Sequence, residues 1–239
     1  MRLPYTLLLA PTILLVACAS SQLKPHEQSA TTSANNATQS LEEALPDIQK
    51  KAAAGDASAQ FNLGALYQEG EGVPKDINKA REWFEKAAIQ GDIRAQFNLG
   101  VMYYTGETVK QDFKKAEEWF GKAAAQGNPR AQFNLGVIYY RAEGVKQDLA
   151  KALDLFLSSS RQGMAEAMFN TAVMYAKGES IKIDPMEAYA WFVLAKENGD
   201  VKSDDLIKQG EKNMSAPQLK AGKKRVEELR KTIKRALEF

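Results

Sequence analysis

Ala59-Gln60-Phe61-Asn62-Leu63-Gly64 recurs letter for letter at Ala95–Gly100 and at Ala131–Gly136, and in altered form as Ala167-Met168-Phe169-Asn170-Thr171-Ala172. Phe61, Phe97, Phe133 and Phe169 therefore stand a constant 36 residues apart, with no insertion between copies. A fixed period of this size is the mark of stacked supersecondary units, each too small to bury its own apolar face. It shifts expectation towards a molecule that holds another and away from one that performs a reaction.

One unit, residues 56–91, shows the grammar. Ala59, Leu63, Leu66 and Tyr67 follow the three/four spacing of an amphipathic helix A. Gly70 follows, where a left-handed residue ends a helix cheaply. After a loop with Gly72 and Pro74, Asp76 precedes a second periodic run, Ala80, Trp83, Phe84, Ala87 and Ala88, and predicts an N-cap for helix B. Gly91 closes it. The cap recurs as Asp112, Asp148 and Asp184, the closing glycine as Gly127, Gly163 and Gly199. Gly64, Gly100 and Gly136 fall in mid-helix, each at a cost of about 1 kcal/mol against Ala; paid three times in register, that cost predicts a helix B too close for a side chain. The recurring Phe and Trp positions are read as core. Strand-like alternation is absent, and the chain reads as all-α.

These residues resemble the Sel-one-like repeat (SLR) family, relatives of the tetratricopeptide solenoids. The shared pattern is Ala-x-x-x-Leu-Gly-x-x-Tyr, Gly-x-Gly-Val-x-x-Asp, Lys-Ala-x-x-Trp-Phe-x-Lys-Ala-Ala and Gly, nearly whole in Ala59–Gly91 and Ala95–Gly127. The third unit departs at Ala142 and Ser158–Ser160, the fourth at Thr171-Ala172 and Leu194. The resemblance implies a right-handed α-solenoid of antiparallel helix pairs that binds proteins or peptides. The expected organisation is four repeats at 56–91, 92–127, 128–163 and 164–199, an N-terminal capping helix at 41–55 and C-terminal capping helices at 200–239.

The start of the chain reads as an address. Arg2 and the apolar run Leu7–Ala17 have the form of a signal peptide too short to span a bilayer. Leu15-Val16-Ala17-Cys18 resembles a bacterial lipobox, which implies removal of residues 1–17 and a membrane anchor through lipidated Cys18. With Ala19 and Ser20 after it, the resemblance implies a bacterial envelope protein on the outer membrane, facing the periplasm. Residues 18–40, rich in Ser, Thr, Asn and Gln, read as a flexible tether.

Composition narrows the chemistry. One Cys and one His among 239 residues leave no internal disulfide and no Cys/His metal site, so neither metal nor other cofactor is expected. The formal charge of +2 favours no partner class, although eight Lys/Arg against three Glu follow Ser215. Lys220, Lys223, Lys224, Arg225, Arg230, Lys231, Lys234 and Arg235 read as the solvated face of a capping helix, with contact to anionic lipid or another envelope polymer as the alternative. A nucleic-acid partner is not expected, and the oligomeric state is open.

The candidate partner face follows from the repeat. Ser58, Asn62, Ala65 and Glu69 share one stripe of helix A, matched by Arg94, Asn98, Val101, Thr105, by Arg130, Asn134, Val137, Arg141 and by Glu166, Asn170, Val173, Lys177. Stacked, the stripes place Asn62, Asn98, Asn134 and Asn170 in a ladder suited to an extended peptide backbone. Arg94, Arg130 and Arg141 would attract an acidic ligand, and Tyr104 and Tyr140 beside the stripe suit interface contacts. The same asparagines also fit a purely structural role, bonding an adjacent backbone.

Two other functions compete with this reading. Some cysteine-rich SLR proteins are associated with β-lactam binding or hydrolysis, but paired Cys are missing here and Ser21-x-x-Lys24 lies in the tether without partner motifs. A non-catalytic envelope scaffold is therefore the expectation, with assembly of a secretion or polysaccharide-export complex as a variant differing only in partner.

Overall fold

The computed structural model describes residues 43–237, with side chains to Ile233. The predicted signal peptide, Cys18, the tether, Lys234 and Arg235 lie outside the described residues or side chains. Among those described there are eleven helices and no strand: α1 (43–53), α2 (Ala57–Glu69), α3 (Ile77–Ile89), α4 (Ile93–Thr105), α5 (Phe113–Ala125), α6 (Pro129–Arg141), α7 (Leu149–Ser160), α8 (Ala165–Lys177), α9 (Pro185–Glu197), α10 (Ser203–Asn213) and α11 (Ala216–Leu237). The A helices are α2, α4, α6 and α8; each packs most extensively on the B helix that follows it. The chain divides into two compact units, one ending at Gln126 and one beginning at Gly127.

The helix boundaries follow from local chemistry. The carboxylates of Asp76, Asp112, Asp148 and Asp184 each accept a bond from a first-turn backbone N–H of a B helix. The same four residues donate their own N–H to a carbonyl of the preceding A helix, Tyr67, Tyr103, Tyr139 and Tyr175, at 2.9–3.1 Å. One aspartate thus starts a helix and fixes its loop. The A helices end on left-handed residues: Gly70, Gly106 and Gly178, but Ala142 in the third repeat, at φ 59°.

In the N-terminal unit the core is built from α1 to α5. Ala52, Ala59, Leu63 and Leu66 form one cluster, and Ala80, Phe84, Ala87, Ala88, Ala95, Leu99 and Met102 another. Phe84 and Phe120 are fully buried, each such side chain contributing roughly 1.5–3 kcal/mol. Their rings meet Phe61 and Phe97, with centroids 5.6 and 5.8 Å apart. Trp83 and Trp119, expected in the core, are half-buried instead. Each lies at the protein surface under a lysine one turn on, Lys86 and Lys122, 4.0 Å from the ring centroid.

The C-terminal unit holds α6 to α11. Phe133 meets Phe156 and Phe169 meets Phe192 as in the other unit. Here Trp191 is buried, in a cluster that draws Leu206 and Ile207 from α10 and Val226, Leu229 and Ile233 from α11 against α9. Arg225 pairs with Glu187, and Arg230 reaches Glu197 at 2.6 Å. Two of the basic residues read as solvated therefore tie α11 to α9, while Lys220, Lys223 and Lys231 are exposed.

A recurring glutamine pair that sequence reading missed is present in each of the first three repeats. Gln60 and Gln96 are 5% exposed. Their amides donate to Ala52 O and Ala88 O of the preceding helix, at 3.1 and 3.0 Å. Their carbonyls accept from Gln90 and Gln126, both at 2.8 Å, and Gln162 meets Gln132 likewise at 2.9 Å. The signal lay in a second periodic glutamine, Gln90, Gln126 and Gln162, always 30 residues after the first.

Candidate partner-binding face

The asparagine stripe does not have one environment. Asn62 is exposed and Asn98 half-buried, whereas Asn134 and Asn170 are buried at 0% and 4%. Their stripe neighbours Val137 and Val173 are buried with them, at 0% and 8%. In the C-terminal unit protein atoms already fill the space around both asparagines, so this pair offers no contact to an extended peptide. Among the described residues the Nδ2 of Asn170 finds no hydrogen-bond acceptor. Helical spacing placed these residues on one face of each helix; it does not determine what covers that face.

The predicted cations and tyrosines are also differently placed. Arg94 is exposed, pairs with Asp92 at 2.7 Å, reaches Ser58 Oγ at 3.2 Å and lies 4.1 Å over the Phe61 ring. Its charge is largely answered within the chain. Arg141 is exposed, with Glu143 at 3.6 Å. Arg130 is exposed. Tyr104 is 7% exposed, its ring set edge-on to Phe113 at 5.4 Å, and belongs to the core. Tyr140 donates its hydroxyl to Glu179 of the next repeat at 2.8 Å. Burial, reinforced by that carboxylate, pushes the Tyr140 hydroxyl well above the usual phenol range.

Open space on the A-helix side occurs in the N-terminal unit, where a groove of about 240 Å³ opens between the first and second repeats. Asn98, Val101 and Thr105 of the predicted stripe line it, as do Gln68, Ile77 and Glu107. The stripe thus led to the groove through Asn98, but Gln68 near the end of α2, Ile77 at the start of α3 and the loop residue Glu107 were not anticipated. Among the described residues no group of three or more His, Cys, Asp or Glu is arranged to hold a metal ion.

Successive helix pairs of 12 or 13 residues per helix, joined by one loop grammar, define an α-solenoid repeat protein. The Sel1 repeat matches at residues 57–92, 93–128, 129–164 and 165–200, and the chain belongs to the Sel1 repeat family. It is similar to a protective antigen of uropathogenic Escherichia coli strains that displays an SLR fold, with 34% identity and a TM-score of 0.72 over 82% of this chain and 42% of that one. It is also similar to a Sel1 repeat protein from Oxalobacter formigenes, with 31% identity and a TM-score of 0.66 over 82% of this chain and 79% of the other. This chain spans less than half the length of the Escherichia coli relative. No curated protein matches it.

Proposed function

We propose that the protein is a non-catalytic scaffold of the bacterial envelope, anchored through lipidated Cys18, that holds a protein or peptide partner on the A-helix face of its repeats. The observation that carries the reading is the groove between the first two repeats, where Asn98 and Val101 combine a hydrogen-bonding amide with an apolar floor. Sel1 repeats serve in general as protein-interaction scaffolds, which supports the same assignment. The lipobox-like Leu15–Cys18 supports the envelope location.

The test is site-specific photocrosslinking in cells from positions 62 and 98, followed by mass spectrometry. A discrete partner should crosslink from both and not from exposed Ile89 on α3. Equal labelling from all three positions sinks the groove assignment. Cys18→Ala should release the protein from membranes; retention with acylation intact would refute the anchor. Nitrocefin turnover by purified protein, abolished by substitution of one residue, would replace the scaffold reading with an enzymatic one.

A further inference from the structure

The groove is lined on the first repeat by two residues that stand where the second repeat has aromatic side chains. Gln68 stands where Tyr104 and Tyr140 stand, and Ile77 where Phe113 stands. In the second repeat Tyr104 and Phe113 pack edge to face between helix A and the start of helix B. Lys75 likewise replaces Gln111 and Gln147, whose amides donate to the carbonyls of Tyr104 and Tyr140 at 2.8 and 2.9 Å. In the first repeat, therefore, both the ring and the contact that holds its backbone are missing.

The missing ring also has a missing partner. Tyr140 of the third repeat donates its hydroxyl to Glu179, in the loop of the fourth. The residue at Tyr140's register one repeat pair earlier is Gln68, and the residue at Glu179's register is Glu107. Gln68 turns its amide to the adjacent Glu69, at 3.0 Å, and Glu107 is exposed at the opposite rim of the groove. The C-terminal unit thus displays one residue that can stand at this register: a tyrosine whose hydroxyl donates to a loop carboxylate of the next repeat.

From this register comparison we propose that the groove between the first and second repeats is a socket for a tyrosine side chain of the partner, its ring on Ile77, Val101 and Met102 and its hydroxyl donating to Glu107. The proposal rests on the scaffold reading above and names the chemistry of the residue that scaffold grips. A phenol suits the site better than an ammonium group because Lys75 stands on the same rim. It suits it better than a phenyl group because only the hydroxyl gives Glu107 a donor; a hydrogen bond to a carboxylate is worth roughly threefold to tenfold in affinity at an open rim.

The probe is N-acetyl-tyrosinamide, titrated into the full-length protein carrying labelled Val and Met methyl groups. The Val101 and Met102 resonances should shift saturably, with a dissociation constant in the millimolar range. N-acetyl-phenylalaninamide should bind roughly threefold to tenfold more weakly, and Glu107→Gln should abolish that preference. Gln68→Tyr fills the socket from within, with a residue the next two repeats already hold there, and should remove binding while leaving the fold intact. Absence of saturable shifts, equal binding of N-acetyl-lysinamide, or undiminished binding to folded Gln68→Tyr would each overturn the proposal. A discrete crosslinked partner with no phenol binding would reject the socket and leave the scaffold standing; phenol binding without any partner would reject the scaffold alone.

Discussion

A Cβ atom placed on Gly100 would lie 2.5 Å from Cδ1 of Phe120, far inside contact distance. Gly64 stands in the same relation to Phe84, and Gly136 to Phe156, at 2.7 Å each. The glycine in the middle of each A helix is therefore the seat of the B-helix phenylalanine. In the fourth repeat, where Ala172 takes the glycine's place, the ring pair changes geometry: Phe192 meets Phe169 at 65°, against 36–46° in the other three. The fourth repeat accepts a methyl group with a turned ring.

This geometry predicts opposite signs for two chemically identical substitutions. Gly100→Ala gains helix propensity but must displace a fully buried ring, and overpacking costs about 1–3 kcal/mol. Gly121 lies in the interior of α5 with nothing within 4 Å of its would-be Cβ. Gly121→Ala should therefore stabilise by roughly 0.5–1 kcal/mol. Urea denaturation of both variants checks the pair; a Gly100→Ala protein as stable as Gly121→Ala would refute the seat.

Ala142 ends α6 with φ 59° and ψ 35°, where the other A helices end on glycine. The left-handed region costs a residue with a Cβ about 1–2 kcal/mol. Ala142→Gly should relieve most of this, less the greater entropy of glycine in the unfolded chain, and raise stability by about 0.5–1 kcal/mol. Thermal unfolding measures it, and a lower melting temperature would contradict the strain argument.

The period, the helix pairs and the caps were legible because they depend on neighbours within a few residues. Asp76 and Gly70 announce their roles by position alone, and Gly64 announced a close approach by the cost of keeping it. The environment of Asn134 was not legible, since burial depends on what packs over a helix face, and identical hexapeptides end up exposed at Asn62 and buried at Asn134. The candidate groove was half-legible. Asn98 was in the predicted stripe, but Gln68 and Ile77, which line the groove with it, were visible only as departures from the repeat.

Gln96 is predicted to be structural. It donates to Ala88 O and accepts from Gln126 while almost fully buried. Gln96→Leu removes both bonds, while Ala88 O keeps the N–H of Gly91 and Gln126 keeps Gly91 O, and should cost about 0.5–1.5 kcal/mol per lost bond. Gln96→Glu tests the direction of the bonds. Ionised, it faces Ala88 O with a second acceptor and suffers burial of charge; protonated, it donates again. The Glu variant should therefore lose more stability at pH 7 than near pH 4, relative to the wild type, in chemical denaturation. Equal losses at both pH values would refute the assigned donor.

Tyr189 gives a signed prediction at alkaline pH. Its hydroxyl donates to Glu211 at 3.1 Å, joining α9 to α10. Burial, then the carboxylate, push its pKa from 10.0 up to about 12. The native state favours the protonated form, so the contribution is complete below pH 10, where the unfolded phenol is also protonated. It then falls as pH rises through 12. The stability difference between wild type and Tyr189→Phe should be flat up to about pH 10 and move against the wild type between 10 and 12. Denaturation series at fixed pH check the curve, with tyrosinate absorbance reporting the ionisation. A difference that is constant across that window would show that Tyr189 ionises as a free phenol.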